Sequence, residues 1–223
     1  MTYWAVSARI YFEAPIVRLL FFGFSSGLPL ALTASTLSIW LAEAGVSKST
    51  IGLFAALGLP YALKFLWAPL IDRLPLPFFS RLWGRRRGWI LATQLALVST
   101  IIGLGLTHPG SDPGWVAILA LIVSFCSASQ DIVLDAYRVE ALEQRQLAAG
   151  AAMFVWGYRV AMLTSGAGAL YLASFAQWFT AYVVMAALMG VGILTTFFSP
   201  EPSRDDTGES RVREEEAYEF LAS

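Results

Sequence analysis

Six long apolar runs, each bounded by charged or turn-forming residues, divide the chain at 17–41, 51–71, 88–107, 115–134, 148–175 and 179–198. Each has about the length of ~20 residues that a helix needs to cross a hydrocarbon core roughly 30 Å thick. The pattern predicts six transmembrane helices in an all-α bundle over 1–199. Beyond it, a polar stretch at 200–223 is too charged to bury a core and reads as an acidic cytoplasmic tail with a short helix at 214–221. The first run is longer than the apolar part of a signal peptide and has no small-x-small cleavage site, so it reads as a retained helix.

The connections between runs alternate in chemistry. Segments on the odd side hold Arg9, Arg18, Arg73, Arg81, Arg85, Arg86, Arg87, Arg138, Arg145, Arg204, Arg211 and Arg213, whereas those on the even side hold only Lys48. Cytoplasmic loops retain Lys and Arg during insertion, so this asymmetry predicts that both termini lie inside. Trp40, Trp115 and Trp178 fall at outer ends and Trp67 and Trp89 near inner ends, where an amphipathic indole suits the headgroup layer. Composition agrees, with 57% hydrophobic residues against 14% charged and a mean hydropathy of +0.62. The bilayer is the expected solvent, and no separate soluble domain fits.

Four ionisable residues fall within or beside the runs: Lys64, Asp131, Asp135 and Arg159. A charge at bilayer depth costs on the order of 3 kcal/mol, so each calls for a partner or a wet cavity. Lys64 lies about 10 Å from the inner end of the second helix at 1.5 Å per residue, a depth at which it could meet Asp131. Asp131 and Asp135, four apart, share a helix face. The group reads either as a proton-coupled gate, in which protonation breaks an ion pair and frees helices to move, or as a static bundle-stabilising pair. Asp135 also has Arg138 close by in sequence. Arg159, roughly 15 Å into the fifth helix, has the depth and the planar donor set to hold an anionic group, with a structural ion pair as the alternative. The stretch Ser25-Ser26-Gly27-Leu28-Pro29 is expected to interrupt the first helix and Gly58-Leu59-Pro60 the second, because proline withdraws a backbone donor. The alternative for Gly23 and Gly27 is a small-xxx-small packing contact.

A single cysteine, Cys126, excludes an internal disulfide or thiolate metal cluster. The single histidine, His108, lies in an outer Pro/Gly turn, which excludes a serine–histidine protease dyad and leaves haem without a histidine ligand. No enzyme, cofactor, metal or nucleic-acid partner is implied.

Several motifs together resemble the AmpG-type muropeptide permeases of the major facilitator superfamily. They are Gly23-Phe24-Ser25-Ser26-Gly27-Leu28-Pro29; Gly58-Leu59-Pro60-Tyr61 with Lys64-Phe65-Leu66-Trp67-Ala68-Pro69 and Asp72-Arg73; Gly84-Arg85-Arg86-Arg87-Gly88-Trp89; and Ser129-Gln130-Asp131-Ile132-Val133-Leu134-Asp135-Ala136-Tyr137-Arg138-Val139-Glu140. The resemblance spans about 11–202. It implies half of a 3+3 inverted-repeat fold, a bacterial inner-membrane location and proton-coupled import of anhydromuropeptides, with another anionic solute such as an acyl-CoA or a sugar, or an inert fragment, as alternatives. Arg159, Lys64, Gln130 and Tyr61 are the substrate-binding candidates. Asp131, Asp135, Asp72, Arg73 and Arg138 become coupling or gating candidates, with Gly27, Pro29, Gly58 and Pro60 as helix breaks. Asp72-Arg73 and 84–87 resemble the superfamily's loop between helices two and three, with Ala68 where glycine is usual and 74–83 inserted between acid and basic cluster. From Pro200 the chain resembles the linker to a second six-helix half, expected in the same gene, a separate chain or a second copy.

Overall fold

A computed structural model describes residues 9–202 as a bundle of six helices long and apolar enough to cross a membrane, with no strand among the described residues. The rest of the expected tail, with Arg204, Arg211, Arg213 and the helix at 214–221, lies outside the described residues. The six are α1 (Ala14–Glu43), α2 (Lys48–Leu66), α3 (Arg85–Gly105), α4 (Pro113–Ala141), α5 (Gln144–Phe175) and α6 (Trp178–Phe198). Each overlaps one of the apolar runs, with ends shifted by several residues.

Glycine dictates how the bundle closes. The most extensive helix pair is α1 with α5, and a Cβ on Gly23 would lie 2.0 Å from the Phe154 carbonyl oxygen, one on Gly27 2.4 Å from that of Tyr158, and one on Gly157 1.9 Å from that of Leu20. Only glycine lets these backbones approach so closely, and without a hydrophobic drive between helices in lipid such van der Waals contact does the holding. The small-xxx-small alternative for Gly23 and Gly27 is the one the structure adopts.

That contact also corrects an expectation. Helix α1 runs through Ser25–Pro29 without interruption, and its departure from α geometry comes later, as a π turn over Leu32–Thr36. Ser25, Ser26, Gly27, Leu28 and Pro29 are all buried, so packing keeps the segment helical and the wider turn follows the proline by three residues. A matching π turn, unforeseen, occupies Thr164–Gly168 of α5, and the Thr36 hydroxyl donates to the Ser165 carbonyl at 2.7 Å between the two. In α2 the expected irregularity is present: 3₁₀ turns over Phe54–Gly58 and Lys64–Leu66 flank a short α segment, Leu59–Leu63, before a further helix at Ala68–Arg73.

The core has two apolar clusters, one around Leu32, Leu97, Ile101, Val123 and Tyr182, the other around Ile16, Phe22, Ile90, Val133 and Tyr137. Four buried polar residues also pack among these helices. Gln130 donates to Ser25 at 3.2 Å, and Thr196 donates to Gln94 at 3.0 Å. Gly192 leaves room for the Ser25 hydroxyl and the Gln94 amide, which a Cβ there would meet at 2.2 and 2.7 Å. At one end Trp178 donates to Glu43 at 2.9 Å and stacks on Trp40 with centroids 5.5 Å apart, joining the ends of α1 and α6.

Candidate transport path and ionic latch

The ionisable residues form two groups. The first lies where α1, α2, α4 and α5 converge. Asp131 accepts a hydrogen bond from the Ser26 hydroxyl, with Lys64, Asp135, Tyr61 and Tyr158 within electrostatic reach. The Lys64 ammonium pairs with Asp135 at 3.8 Å, not with Asp131. Two causes combine: the 3₁₀ turn beginning at Lys64 changes the direction its side chain takes, and its long stem reaches toward the helix end while Ser26 occupies Asp131. Asp135 also binds Arg138 at 3.3 Å, and that guanidinium lies 5.5 Å from the Phe154 ring centre. The cluster is thus a chain, Lys64–Asp135–Arg138, beside a separately held carboxylate.

Of the substrate-binding candidates, Arg159 is exposed on α5 and makes no hydrogen bond or ion pair with any described residue. Tyr61 borders a cleft of about 310 Å³ between α1 and α2, lined also by Thr33, Ser38, Leu57 and Gly58. Lys64 borders a second cleft of about 570 Å³, with Asp72, Asp135 and Glu140. Gln130 is enclosed in the bundle and faces neither cleft. Gly58 and Pro60 sit at the junction of the first 3₁₀ turn with Leu59–Leu63, as expected of a helix break, whereas Gly27 and Pro29 lie in intact helix.

The second group forms a latch at the end carrying the 74–84 connection. The Arg86 side chain, 7% exposed, binds Asp72 at 2.7 Å and grips Glu140 with two nitrogens. Arg85 donates to the Asp72 carbonyl and lies 3.6 Å from Glu140. Arg73, the sequence candidate, is exposed and makes no hydrogen bond or ion pair with a described residue. A run of arginines gives no sign of which one turns inward. Of the described arginines, Arg86, just inside the start of α3, is the one that pairs with both carboxylates, so Arg86 and Glu140 are the pair that sequence reading missed.

The same corner holds a reciprocal cap. Glu201 accepts from the backbone N–H groups of Arg86 at 2.7 Å and Arg87 at 3.0 Å, placing a carboxylate on the positive end of α3. Gly84, at φ +87°, makes way: a Cβ there would lie 2.4 Å from the Glu201 carboxyl carbon. In return Arg87 donates to the carbonyls of Thr196 and Phe197, each at 3.1 Å, on the negative end of α6. The Tyr137 hydroxyl donates to the Pro200 carbonyl at 3.0 Å. Glu201→Gln should lower stability by about 1 kcal/mol, the usual worth of a helix cap, read as a fall in midpoint during unfolding in detergent.

Two capped helix ends joined by an arginine and four helices converging on a half-buried carboxylate lie within a bundle of six candidate membrane spans. The model of the Major Facilitator Superfamily matches residues 19–221. The chain belongs to the major facilitator superfamily. It is 47% identical over 196 residues to the anhydromuropeptide permease of Escherichia coli (strain K12), covering 87% of this chain and 39% of that protein. The same figures hold for the anhydromuropeptide permease of Escherichia coli O157:H7. It is also 43% identical over 186 residues to an uncharacterized protein of Haemophilus influenzae, covering 83% of this chain and 43% of that one. The chain therefore spans about two fifths of the length of these curated relatives. Membership in a transporter family agrees with the sequence reading of a multi-pass membrane protein that is not an enzyme.

Proposed function

We propose that this chain is the N-terminal half of a permease that carries cell-wall anhydromuropeptides across the bacterial inner membrane into the cytoplasm, driven by protons. The observation that carries the proposal is 47% identity to an anhydromuropeptide permease over 87% of the chain. The arginine asymmetry supports cytoplasmic termini and puts the Arg86–Glu140 latch on the inner face. Half of the fold provides one wall, so a second six-helix half completes the path.

In this reading Arg159, on an exposed face and without a hydrogen bond or ion pair among the described residues, binds the anionic part of the substrate. Tyr61 and Lys64 line the route on either side, and Gln130 keeps the wall behind them rigid. Asp131 takes up the coupling proton. Its neutralisation removes its attraction for the nearby Lys64 ammonium, which strengthens the existing Lys64–Asp135 pair and alters the contact between α2 and α4. The Asp72–Arg86–Glu140 cluster opens and closes the inner face.

The test is uptake of a labelled anhydromuropeptide by vesicles holding this chain with or without a complementary six-helix half, under an inward proton gradient. Uptake should need both halves and collapse with a protonophore. Uptake by the chain alone, or preference of the assembly for an acyl-CoA or a sugar, would overturn the proposal. In the assembly Arg159→Gln should reduce uptake roughly tenfold to a hundredfold, since a hydrogen bond to a charged group contributes ~1.5–3 kcal/mol.

A further inference from the structure

Hydroxyls inside membrane helices commonly turn back onto the carbonyl four residues earlier, which satisfies them locally. Most buried ones here do so: Thr33 to Pro29, Ser129 to Phe125, Ser165 to Ala161, Thr195 to Val191 and Ser199 to Thr195. Ser124 and Ser127 of α4 do not. Their residues are 0% and 1% exposed, and neither hydroxyl meets hydrogen-bond geometry with any group among the described residues. The buried Tyr61 hydroxyl of α2 faces Ser127 within interaction range, but the two do not meet hydrogen-bond geometry and Tyr61 has no other partner among the described residues. Buried polar groups are nearly always paired, so three orphans side by side call for a ligand of their own size.

Their placement says what that ligand is for. Ser124, Ser127 and Asp131 are three and then four residues apart, a spacing that puts them on one face of α4 in a column about 10 Å long. At one end Asp131 is held by Ser26, with Lys64 and Tyr61 of α2, Asp135 of α4 and Tyr158 of α5 around it. Alongside, Tyr61 borders the cleft between α1 and α2, whose lining reaches to Ile51 and Gly52, near the turn that joins those two helices. The lining includes the Thr33 and Ser38 oxygens, which already donate to backbone and so are left as acceptors.

We propose that the hydroxyls of Tyr61, Ser124 and Ser127 bind a file of water that connects Asp131 to the cleft between α1 and α2. Asp131 then exchanges protons with the face of the membrane carrying the 44–47 turn. A hydronium ion in the cleft passes a proton to the first water of the file, each member hands on a different proton, and the Asp131 carboxylate becomes a neutral carboxyl while the cleft retains a water molecule. The Lys64–Asp135–Arg138 chain stands between this column and the opposite face. The inference rests on the proton-driven reading above but is tested without transport.

In a Cys126→Ala background of the full chain, Ser124→Cys and Ser127→Cys are reconstituted in sealed vesicles, and silver ion, close to water in size, is added on one face. Thiols left free are then counted by maleimide mass shift after denaturation. Both positions should react at least tenfold faster from the 44–47 face than from the other, and at least tenfold faster than Ala128→Cys, which is equally buried. Rates no higher than at position 128, or higher from the opposite face, overturn the proposal. A second arm has no cysteine in the column: infrared spectroscopy follows the Asp131 carboxyl band, assigned by its loss in Asp131→Asn, after acidification of the 44–47 face. Ser124→Ala with Ser127→Ala should slow its appearance at least fivefold, and an unchanged rate overturns the proposal. Muropeptide uptake is measured separately, so a dry column with intact uptake sinks this inference alone, and a wet column without uptake sinks the transport reading alone.

Discussion

Gly157→Val should prevent α1 and α5 from closing on each other. The first added carbon alone would sit 1.9 Å from the Leu20 carbonyl oxygen and 2.9 Å from the Phe24 nitrogen. Both are backbone atoms, and a backbone cannot swing aside as a side-chain tip can. The cost exceeds the ~1–3 kcal/mol usual for overpacking, because relief requires the most extensive helix pair to separate. The expected result is loss of the folded monomer in mild detergent, or a midpoint of unfolding reduced by more than 10 °C. Gly103→Val, where nothing lies within 4 Å of the added carbon, is the control and should leave the midpoint within a few degrees. Equal behaviour of the two variants would disprove the close contact of α1 with α5.

The second large effect is expected at Arg86. Its guanidinium is the common partner of the Asp72 and Glu140 carboxylates, and removing it leaves Asp72 without its ion pair and Glu140 with only the longer contact to Arg85. Full burial would make that loss about 3–5 kcal/mol. Because the Asp72 side chain is 44% exposed, water takes over part of the solvation and about 2–3 kcal/mol is expected for Arg86→Ala. Arg86→Lys should recover little, because a point ammonium cannot grip a carboxylate with two nitrogens while holding a second one. Arg73→Ala, on the exposed neighbour with no described partner, should change stability by less than about 0.5 kcal/mol. Denaturant midpoints of the three variants decide the matter, and an effect at Arg73 as large as at Arg86 would contradict the geometry.

How much of this was legible beforehand follows the length scale of each signal. The six spans were readable because a hydrocarbon layer demands uninterrupted apolar runs, and the packing role of Gly23 and Gly27 because their spacing matches a helix face. The ionic details were not. Lys64 was expected to meet Asp131 from a depth counted at a uniform 1.5 Å per residue, but 3₁₀ turns in α2 break that ruler and Asp135 takes the contact. Pro29 signalled a break, yet the chain yields only at Leu32–Thr36, since close packing decides where strain is released. The π turn at Thr164–Gly168 has no proline to announce it. Arg86 was indistinguishable from Arg85 and Arg87, because choice among identical neighbours is made by helix phase and by where Asp72 and Glu140 happen to stand. Glu201 looked like one more acid of a solvated segment, and its role depends on a helix that begins over a hundred residues earlier.

The contact between Glu201 and the start of α3 gives the bundle a boundary that hydropathy does not mark. A version trimmed at Phe198 would keep every membrane crossing and still lose the carboxylate that neutralises the opening turn of α3, together with the Pro200 carbonyl that anchors Tyr137. The smallest unit that keeps these contacts therefore extends to residue 201. In biosynthesis, the third crossing stays uncapped at its start until the ribosome has released the stretch after the sixth.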